Sequence, residues 1–507
     1  MYVLGIGQIG GQDSSAVLIK DGVLKIAIEE ERLSRIKHEG GFPEKSIKKV
    51  LEFEGISYKD IDHIAIVDRP YFRIIRRITD WYLPKILTHP KNVFYHIFYN
   101  EIPGLINFIR AKEKLKFNFG KKVKIHFIEH HLTHMASAFL VSPFDDSAIL
   151  TMDARGEIAT TVIGIGEGLK IKKINEAKMP HSLGMFYAAI TNYLGFSHGE
   201  DEYKVMGLAS YGDPVYIKEF RDIISFNNKK LLNANLKYFS YQNGRGFFSK
   251  YFFDIFGEPR KHDDKLEKKH RDIAASAQLL LEELIIKLAI HLKEITGKKN
   301  LCMAGGVALN CVANSKLYEK KIFDNIFVQP AAGDNGGALG AAFHVYNSIL
   351  NKKRKYEMKS ALLGPEFSND QIEKFLKISK INYRKSDDIC KETAQFLSKG
   401  KIIGWYQSRM EFGPRALGSR SILADPTNPK MKDRINSFVK FREEFRPFTP
   451  SVKSESASIY FNLDFISRFM LFVFPVREQY KEKLPAITHV DGTARVQCVD
   501  KSIQPKY

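Results

Sequence analysis

The sequence predicts an α/β protein with more than one domain, and three observations support this prediction. Short β-runs broken by Gly and Asp turns occur in two units about 140 residues apart. Helix–strand–Gly-Gly patterns follow the second unit. A chain of 507 residues is long for one hydrophobic core and indicates roughly two to four domains. Hydrophobic residues make up 44% and charged residues 27%, as in folded proteins, which argues against disorder.

The two units have the same order of strands and turns, with an aspartate, Asp13 or Asp153, in the first turn of each. The predicted strands are Tyr2–Ile6, Ser15–Ile19 and Val23–Ile28 in the first unit, and Ala148–Met152, Thr160–Ile165 and Leu169–Ile174 in the second. Two opposed units of this kind could hold nucleotide phosphates with turn N–H groups and an Asp-bound cation. Two unrelated meanders would give the same pattern, so duplication is a hypothesis at this point.

A long helix is predicted at Arg271–Thr296, where Ala and Leu recur at helical spacing before Gly297. Strand Asn300–Met303 follows, and then the sequence Gly305-Gly306-Val-Ala-Leu-Asn310. Glycines after a strand let the backbone approach a ligand closely. Gly305, Gly306 and Asn310 are therefore candidate nucleotide-binding residues.

A domain boundary is predicted at 350–366, where a charged, irregular stretch precedes Gly364-Pro365.

The chain has no Cys-x-x-Cys pair among its four cysteines, which favours a reducing compartment. The first residues lack the basic and apolar regions of a signal peptide, and no apolar run nears the ~18 residues of a membrane helix. We therefore expect a cytoplasmic enzyme with no membrane partner.

The formal net charge is +20, which suits nucleic acid, a membrane surface or anionic small molecules. Basic residues spread over solvated faces give the same charge, and we favour this explanation because no nucleic-acid-binding motif is found. The segment Arg69–Phe127 is rich in aromatic and basic residues. It fits either a nucleic-acid or glycan surface, or amphipathic helices with core aromatics, and we favour the helices.

The strongest chemical pattern is Glu129-His130-His131-Leu132-Thr133-His134, after a predicted strand. Spacing of four residues places His130 and His134 on one helix face, where both could bind one divalent metal. Asp153 and Asp334 follow predicted strands and could complete the site. Two histidines with carboxylates suit iron(II), with zinc or manganese as alternatives. Surface or core histidines are the competing interpretation.

A second pattern is a cationic loop with Arg409, Arg415 and Arg420 spaced by Gly and Pro. Further polar and cationic residues follow it: Asn436, Lys440, Arg442, Arg446 and Arg495. Such a density of cationic residues suits a polyanion such as ATP, although salt-bridged structural arginines remain an alternative.

The mixed-charge segment Gly199–Leu208, with Lys204, fits either substrate orientation or a helix cap. No P-loop, nucleophile elbow or His-Glu-x-x-His occurs.

Together these segments resemble the O-carbamoyltransferases of nodulation and antibiotic tailoring, nearly from end to end. The matching segments are Asp13–Ala16, Glu30–His38, Glu129–His134, Tyr203–Ala209, Gly305–Asn310, Gly333–Gly337, Met410–Gly418 and Arg446–Phe448. The resemblance implies a duplicated actin-like (ASKHA) domain over 1–355, with lobes of about 1–145 and 146–355. It also implies a smaller α/β YrdC-like domain over 366–507, which we expect to be truncated at its C-terminus.

The resemblance further implies a reaction in two steps. The second domain makes carbamoyl-adenylate from carbamoyl phosphate and ATP with Mg²⁺. The first domain transfers the carbamoyl group to a hydroxyl-bearing glycan or natural product. His130, His134, Asp153 and Asp334 match the iron ligands. Arg415, Lys440, Arg446 and Arg495 match the positions where the second domain holds ATP and carbamoyl phosphate.

Gln12, Asp13 and Lys204 are the catalytic candidates. The family usually has His at the position of Gln12, and an amide cannot carry a proton at neutral pH. Alternatives to O-carbamoyl transfer are a tRNA threonylcarbamoyl-transfer protein, a sugar kinase of the actin-like superfamily and a non-catalytic relative. We expect no nucleic-acid partner, and a homodimer is left open.

Overall fold

The computed structural model describes residues 1–9, 11–83, 90–120, 122–241 and 246–507. Gly10 of the predicted first turn, and residues 84–89 and 121 of the aromatic and basic segment, lie outside these ranges. The chain divides into an N-terminal unit, Met1–Met358, and a C-terminal unit, Lys359–Tyr507.

Mixed β-sheets form the framework of the N-terminal unit. Its strands are β1 (Tyr2–Ile6), β2 (Ser15–Lys20), β3 (Val23–Glu29), β4 (His63–Val67), β5 (Lys124–Ile128), β6 (Asp146–Met152), β7 (Ala159–Glu167), β8 (Lys170–Lys178), β9 (Ile224–Asn227), β10 (Leu231–Ala234), β11 (Asn300–Ala304) and β12 (Asn325–Val328). Within the described ranges they form two five-stranded sheets, ordered β3-β2-β1-β4-β5 and β8-β7-β6-β11-β12, and the separate hairpin β9–β10.

The two large sheets have the same topology. In the first sheet, β1, β2 and β3 are antiparallel neighbours, and β4 and β5 continue the sheet in parallel from β1. In the second sheet, β6, β7 and β8 are antiparallel, and β11 and β12 continue in parallel from β6. The duplicated α/β fold predicted from the sequence is thereby confirmed.

The predicted strand positions also agree with the structure to within a few residues. The largest differences are at β7 and β8, where the strands extend past the predicted ends to Glu167 and Lys178. The exposed part of β8 is Lys-rich and has little apolar alternation, so its sequence gave a weak strand signal.

Helices cover the sheets of the N-terminal unit. They are α1 (Glu31–Ser34), α2 (Glu44–Glu54), α3 (Pro70–Arg76), α4 (Pro90–His96), α5 (Ile102–Phe119), α6 (His130–Phe139), α7 (Leu183–Tyr193), α8 (Glu202–Ala209), α9 (Ile217–Ile223), α10 (Lys250–Phe256), α11 (Lys268–Thr296), α12 (Cys311–Glu319) and α13 (Gly337–Phe343). The predicted long helix is α11, which ends at Gly297 with φ of 64°. Glycine accepts this left-handed conformation without strain.

Helix α13 packs against both α6 and β1 at very short distance. A Cβ atom on Gly340 would lie 1.9 Å from the carbonyl oxygen of Thr133, and one on Gly5 would lie 2.1 Å from that of Ala338. The sequence of α13, GALGAAF, has mostly small side chains and permits this approach. The packing brings the start of α13, just after Asp334, against the helix that carries His130 and His134.

The C-terminal unit has shorter elements. Its strands are β13 (Ile403–Tyr406), β14 (Arg420–Leu423), β15 (Ser451–Lys453), β16 (Phe474–Pro475), β17 (Thr493–Ala494) and β18 (Gln497–Val499). Its helices are α14 (Asn369–Ile378), α15 (Ile389–Ser398), α16 (Met431–Ile435), α17 (Ala457–Tyr460) and α18 (Glu478–Lys481). The strands pair as β13–β14, β15–β18 and β16–β17.

The segment α3–α5 corrects one prediction. Tyr82 is buried, but Phe94, Tyr95 and Phe98 are exposed rather than part of a core. Arg73 is buried in an ion pair with Asp68 instead of extending to solvent. Helical periodicity shows that one face is apolar, but it does not show whether another element covers that face.

Within the part of the chain that the structure describes, no helix has the length and apolar character needed to cross a membrane.

Candidate functional site

The two histidines of the predicted metal site lie on the first turns of α6. Strand β5 ends at Ile128, and α6 begins two residues later at His130. Both His130 and His134 are buried, with relative exposures of 1% and 0%. Because they are four residues apart on a helix, their rings project from the same face.

The structure brings these histidines together with the two predicted aspartates. Asp153 Oδ2 lies 3.1 Å from Nε2 of both His130 and His134. Asp334 Oδ1 lies 3.5 and 3.6 Å from the same two atoms. The Nε2 atoms are 3.0 Å apart. One ligand atom from each residue thus lies within 4.8 Å of the other three.

These separations fit one divalent cation. Bonds of about 2.1 Å at angles near 90–110° place neighbouring ligand atoms about 3.0–3.4 Å apart. The donor set of two imidazoles and two carboxylates suits a first-row transition metal. The residues present therefore fit the metal that the sequence predicted, without identifying which metal it is.

The ionisable groups of the His–Asp cluster shift one another's pKa values. Burial acts to lower the pKa of His130, but the carboxylates of Asp334 and Asp153 outweigh it and raise that pKa to about 10. Burial acts to raise the pKa of Asp153, but hydrogen bonds from His130 and His134 hold it well below its usual value. The pKa of Asp334 is raised by burial and by the neighbouring Asp153. Two carboxylates this close favour a bound cation.

His131 has a different role from its two neighbours. Its Nδ1 accepts a hydrogen bond from Thr151 Oγ1 at 2.8 Å, and its Nε2 donates to the carbonyl oxygen of Ala159 at 3.0 Å. Burial lowers the pKa of His131 well below its usual value. The ring is therefore neutral and ties α6 to the second sheet.

Sequence reasoning missed Glu157, which supports the start of α6. Both carboxylate oxygens of Glu157 accept from the backbone N–H of His130 at 3.2 Å. Burial, together with Asp68 and Glu129, raises the pKa of Glu157 to about 7. The sequence feature that pointed to Glu157 was its position in the turn after Asp153. A carboxylate is stabilised next to a helix N-terminus.

The turn with Gln12 and Asp13 lies beside the loop that carries Asp334. Ser15 Oγ donates to the carbonyl oxygen of Asn335 at 2.7 Å. Asp13 has φ of 55°, and its Oδ1 accepts from His38 Nδ1 at 2.7 Å. This hydrogen bond raises the pKa of His38. His38 was not among the candidates, since no local pattern links it to Asp13.

Lys204 lies on α8, in a segment that approaches the same turn. Its Nζ is 3.0 Å from Asp201 Oδ2. A Cβ atom on Gly199 would lie 3.6 Å from Gln12 Oε1, and Glu200 forms an ion pair with Lys37 at 3.2 Å. The structure therefore brings the 197–204 segment to the catalytic candidates Gln12 and Asp13.

Gly305 and Gly306 lie against the end of β6. Gly305 has φ of 91°, and a Cβ atom there would lie 2.1 Å from the carbonyl oxygen of Met152. A Cβ atom on Gly306 would lie 3.2 Å from Asp153 Oδ1. Asn310 caps α12 by accepting from the N–H of Ala313 at 3.0 Å. These positions have packing and capping roles next to the candidate metal centre.

In the C-terminal unit, Glu411 organises the predicted cationic loop. Its buried Oε1 accepts from the backbone N–H groups of Leu417, Ser419 and Arg420 at 2.9, 2.9 and 3.1 Å. Arg415, on the same loop, is partly buried. The acidic residue of this motif therefore has a structural role that spacing alone did not reveal.

The other ligand candidates of the C-terminal unit are four basic residues and one amide. Burial and the nearby charges of Arg442 and Arg446 lower the pKa of Lys440. Arg495 donates to Thr449 Oγ1 at 2.9 Å. Asn436 is buried and donates to the carbonyl oxygen of Arg446 at 3.1 Å. Lys440, Arg442 and Arg446 thus form a positive cluster, whereas Asn436 supports its backbone.

The duplicated sheets and the His–Asp cluster define an α/β protein with a candidate metal centre. Family comparison identifies the class more closely. The carbamoyltransferase N-terminus matches residues 3–343, and the carbamoyltransferase C-terminus matches residues 394–507. The chain belongs to the carbamoyltransferase family and is a transferase enzyme.

Individual relatives agree with this assignment. Nodulation protein NolNO of Sinorhizobium fredii is 39% identical over 98% of this chain and 71% of its own length. Nodulation protein NolO of Bradyrhizobium diazoefficiens is 39% identical over 75% of this chain and 69% of its own length. An uncharacterized protein of Synechocystis is 39% identical over the whole chain and 88% of its own length.

Solved structures show weaker similarity. Component A of the (R)-2-hydroxyglutaryl-CoA dehydratase of Acidaminococcus fermentans has a TM-score of 0.38 at 16% identity, over 69% of this chain and 99% of its own. HypF of T. kodakarensis has a TM-score of 0.35 at 13% identity, over 69% of this chain and 48% of its own.

Proposed function

We propose that the C-terminal unit makes carbamoyl-adenylate from carbamoyl phosphate and ATP, and that the N-terminal unit transfers the carbamoyl group to a hydroxyl of a sugar-like acceptor. Carbamoyl transfer in general follows from the family. The observation that carries the transfer step is the convergence of His130, His134, Asp153 and Asp334 within 4.8 Å. The sugar-like acceptor is what the resemblance to nodulation and antibiotic-tailoring O-carbamoyltransferases implies.

Activation is needed because carbamate is a poor acylating agent. The amide nitrogen donates electrons into the carbonyl group and makes its carbon less electrophilic. Water first cleaves carbamoyl phosphate to carbamate and phosphate, and a carbamate oxygen then attacks the α-phosphorus of ATP and displaces pyrophosphate. The carbamoyl-adenylate formed in this way has AMP as a better leaving group. Carrying out the transfer in an enclosed site limits hydrolysis of the activated intermediate.

The positive cluster of the C-terminal unit supports a polyanion-binding role. Lys440 is partly desolvated beside Arg442 and Arg446. Among the described residues it has no carboxylate within ion-pair distance. Lys440 is exposed, so phosphate groups of ATP or carbamoyl phosphate can reach its ammonium group and pair with its charge.

In the N-terminal unit, His130, His134, Asp153 and Asp334 would hold iron(II) or another divalent cation. A cation bound there would supply Lewis-acid polarisation of the carbamoyl oxygen. Gln12 can orient the acceptor through its amide but cannot take up its proton. The hydrogen-bonded pair Asp13–His38 is the titratable group of this turn, and we assign the proton of the attacking hydroxyl to Asp13.

Full-length protein loaded with iron(II) provides the direct test. Incubation with ATP, ¹⁴C-labelled carbamoyl phosphate and a panel of glycans should release AMP and label the acceptor. AMP release should rise on addition of the correct glycan, with a reaction lacking glycan as the control. If neither AMP nor pyrophosphate rises above a protein-free blank with metal bound, the proposal is wrong.

A further inference from the structure

Large apolar side chains are exposed on helices α3, α4 and α5 and on the π-helical turn between α4 and α5. These side chains, which we call the exposed helical face, each have a relative exposure of 39% or more. They are Tyr71, Phe72, Ile75, Phe94, Tyr95, Phe98, Tyr99, Ile102, Ile106 and Ile109. Folded proteins rarely leave contiguous apolar patches uncovered, and larger ones mark sites of interaction.

The spacing places five of these ten side chains on one side of a helical run. Helices α4 and α5 are joined by the π-helical turn Ile97–Glu101. Along this run, Tyr95, Tyr99, Ile102, Ile106 and Ile109 follow one another at intervals of three or four residues. The rings of Tyr95 and Tyr99 are 4.8 Å apart. These five side chains therefore form a stripe rather than a set of scattered residues.

The same part of the chain carries a high positive charge. Between Arg69 and Lys124 the sequence has 13 Lys and Arg residues against three Asp and Glu residues, a net charge of +10 out of +20 for the whole chain. Lys91, Arg110 and Lys116 are exposed near the apolar stripe. Apolar side chains rimmed by exposed cations are typical of helices that lie in the surface of an anionic bilayer.

We propose that the exposed helical face docks the protein on an anionic lipid bilayer, with its apolar side chains among the acyl chains and its cations against the lipid phosphates. Single-stranded nucleic acid would require stacking platforms, but four of the ten members of the exposed helical face are aliphatic: Ile75, Ile102, Ile106 and Ile109. A second copy would bring two positive faces together. This inference replaces the expectation that the protein has no membrane partner.

The residue that follows α3 is hydrogen-bonded to the turn that follows Asp153. Arg77, immediately after α3, donates to the carbonyl oxygen of Glu157 at 3.0 Å and to that of Gly156 at 3.2 Å. Both residues belong to the turn that begins at Asp153. The proposal stands without the adenylation chemistry, because it depends on exposure and charge alone.

Vesicle co-sedimentation of the full-length protein tests the proposal. The protein should pellet with vesicles of equal parts phosphatidylcholine and phosphatidylglycerol, and much less with phosphatidylcholine alone. The triple variant Phe94→Ser/Phe98→Ser/Tyr99→Ser should bind the mixed vesicles about tenfold or more weakly, because three apolar insertions are lost. A charge variant, Arg110→Glu/Lys116→Glu, should lose binding in parallel.

The matched control is Phe375→Ser/Ile378→Ser on α14. These residues are also highly exposed, at 63% and 71%, but they lie in the C-terminal unit outside the positively charged segment. Control and wild type should bind equally.

The proposal would be overturned by equal pelleting with both lipid compositions or by equal loss of binding in the control and the triple variant. A solution dimer that dissociates in the triple variant, while wild type does not bind vesicles, would also overturn it. Retention of tRNA without vesicle binding would equally reject it.

Discussion

Neighbouring residues of one type have different chemistry at the candidate site. His130 and His134 point their Nε2 atoms at Asp153, whereas His131 between them is hydrogen-bonded to Thr151 and Ala159. The helix period separates them, because a shift of one residue rotates a side chain by about 100°. A sequence pattern with three histidines thus gives two ligand candidates and one structural residue.

The ion pair of Asp13 and His38 predicts a pH dependence of stability. Asp13 raises the pKa of His38 in the folded state. The ion pair therefore contributes fully to the unfolding free energy at pH values below the pKa of His38 in the unfolded chain, which is about 6.5. This contribution is lost as pH rises through the folded pKa. For a partly exposed pair it should be about 1 kcal/mol or less.

Denaturant unfolding of wild type and His38→Gln between about pH 5 and pH 9 checks this sign. The difference in unfolding free energy should be largest at the acidic end and shrink towards the alkaline end. Asp13→Asn serves as the control, because it removes the same pair from the other side. A difference that grows with pH would contradict the assignment.

Glu411 is predicted to hold the cationic loop through its three backbone hydrogen bonds. Glu411→Gln removes the charge from an acceptor of three buried N–H groups and should cost about 1–3 kcal/mol of unfolding free energy. Chemical denaturation measures this loss. Glu366→Gln, at an exposed position, is the control and should change stability little. Equal stability of both variants would show that the loop does not depend on Glu411.

At the scale of elements, most strands of the repeated units were predictable because they have alternating or continuous apolar residues between Gly and Asp turns, whereas the Lys-rich end of β8 was not. The candidate site was predictable only in part. His130 and His134 share one helix, but Asp334 reaches them through the packing of α13 on α6, which local patterns do not contain. The partnership of Asp13 with His38 likewise depends on how the loop at 35–41 folds back onto the first turn.

The contact of α13 with α6 gives a prediction for Gly340. In Gly340→Ala the new methyl group would meet the carbonyl oxygen of Thr133 at 1.9 Å, so α13 must move. Overpacking of this kind costs about 1–3 kcal/mol. Differential scanning calorimetry should show a lower Tm, and the variant should retain less metal because Asp334 immediately precedes α13.

Gly404→Ala in β13 is the matched control. A Cβ atom there meets nothing within 4 Å, and the backbone has no positive φ. It should leave both Tm and metal content near those of wild type. If Gly340→Ala behaves like this control, the close approach of the two helices does not position Asp334.

At the scale of the whole molecule, the two candidate sites lie in different compact units. The His–Asp cluster is built within Met1–Met358, and the positive cluster of Lys440, Arg442 and Arg446 within Lys359–Tyr507. Each unit also matches its own part of the carbamoyltransferase family. This division suits a reaction of two separate steps, with activation in one unit and transfer in the other.

The division predicts complementary defects. Lys440→Ala should reduce carbamoyl-phosphate-dependent pyrophosphate exchange by about 100-fold, because one phosphate-binding cation is lost, while its metal content stays that of wild type. In His134→Ala the metal content should fall by more than about tenfold and carbamoyl transfer should be lost, whereas pyrophosphate exchange should persist. Exposed residues of the same type, Lys453→Ala and His262→Ala, are the controls and should change neither property. If His134→Ala also abolished exchange, activation would depend on the metal cluster, and the assignment of one step to each unit would be wrong.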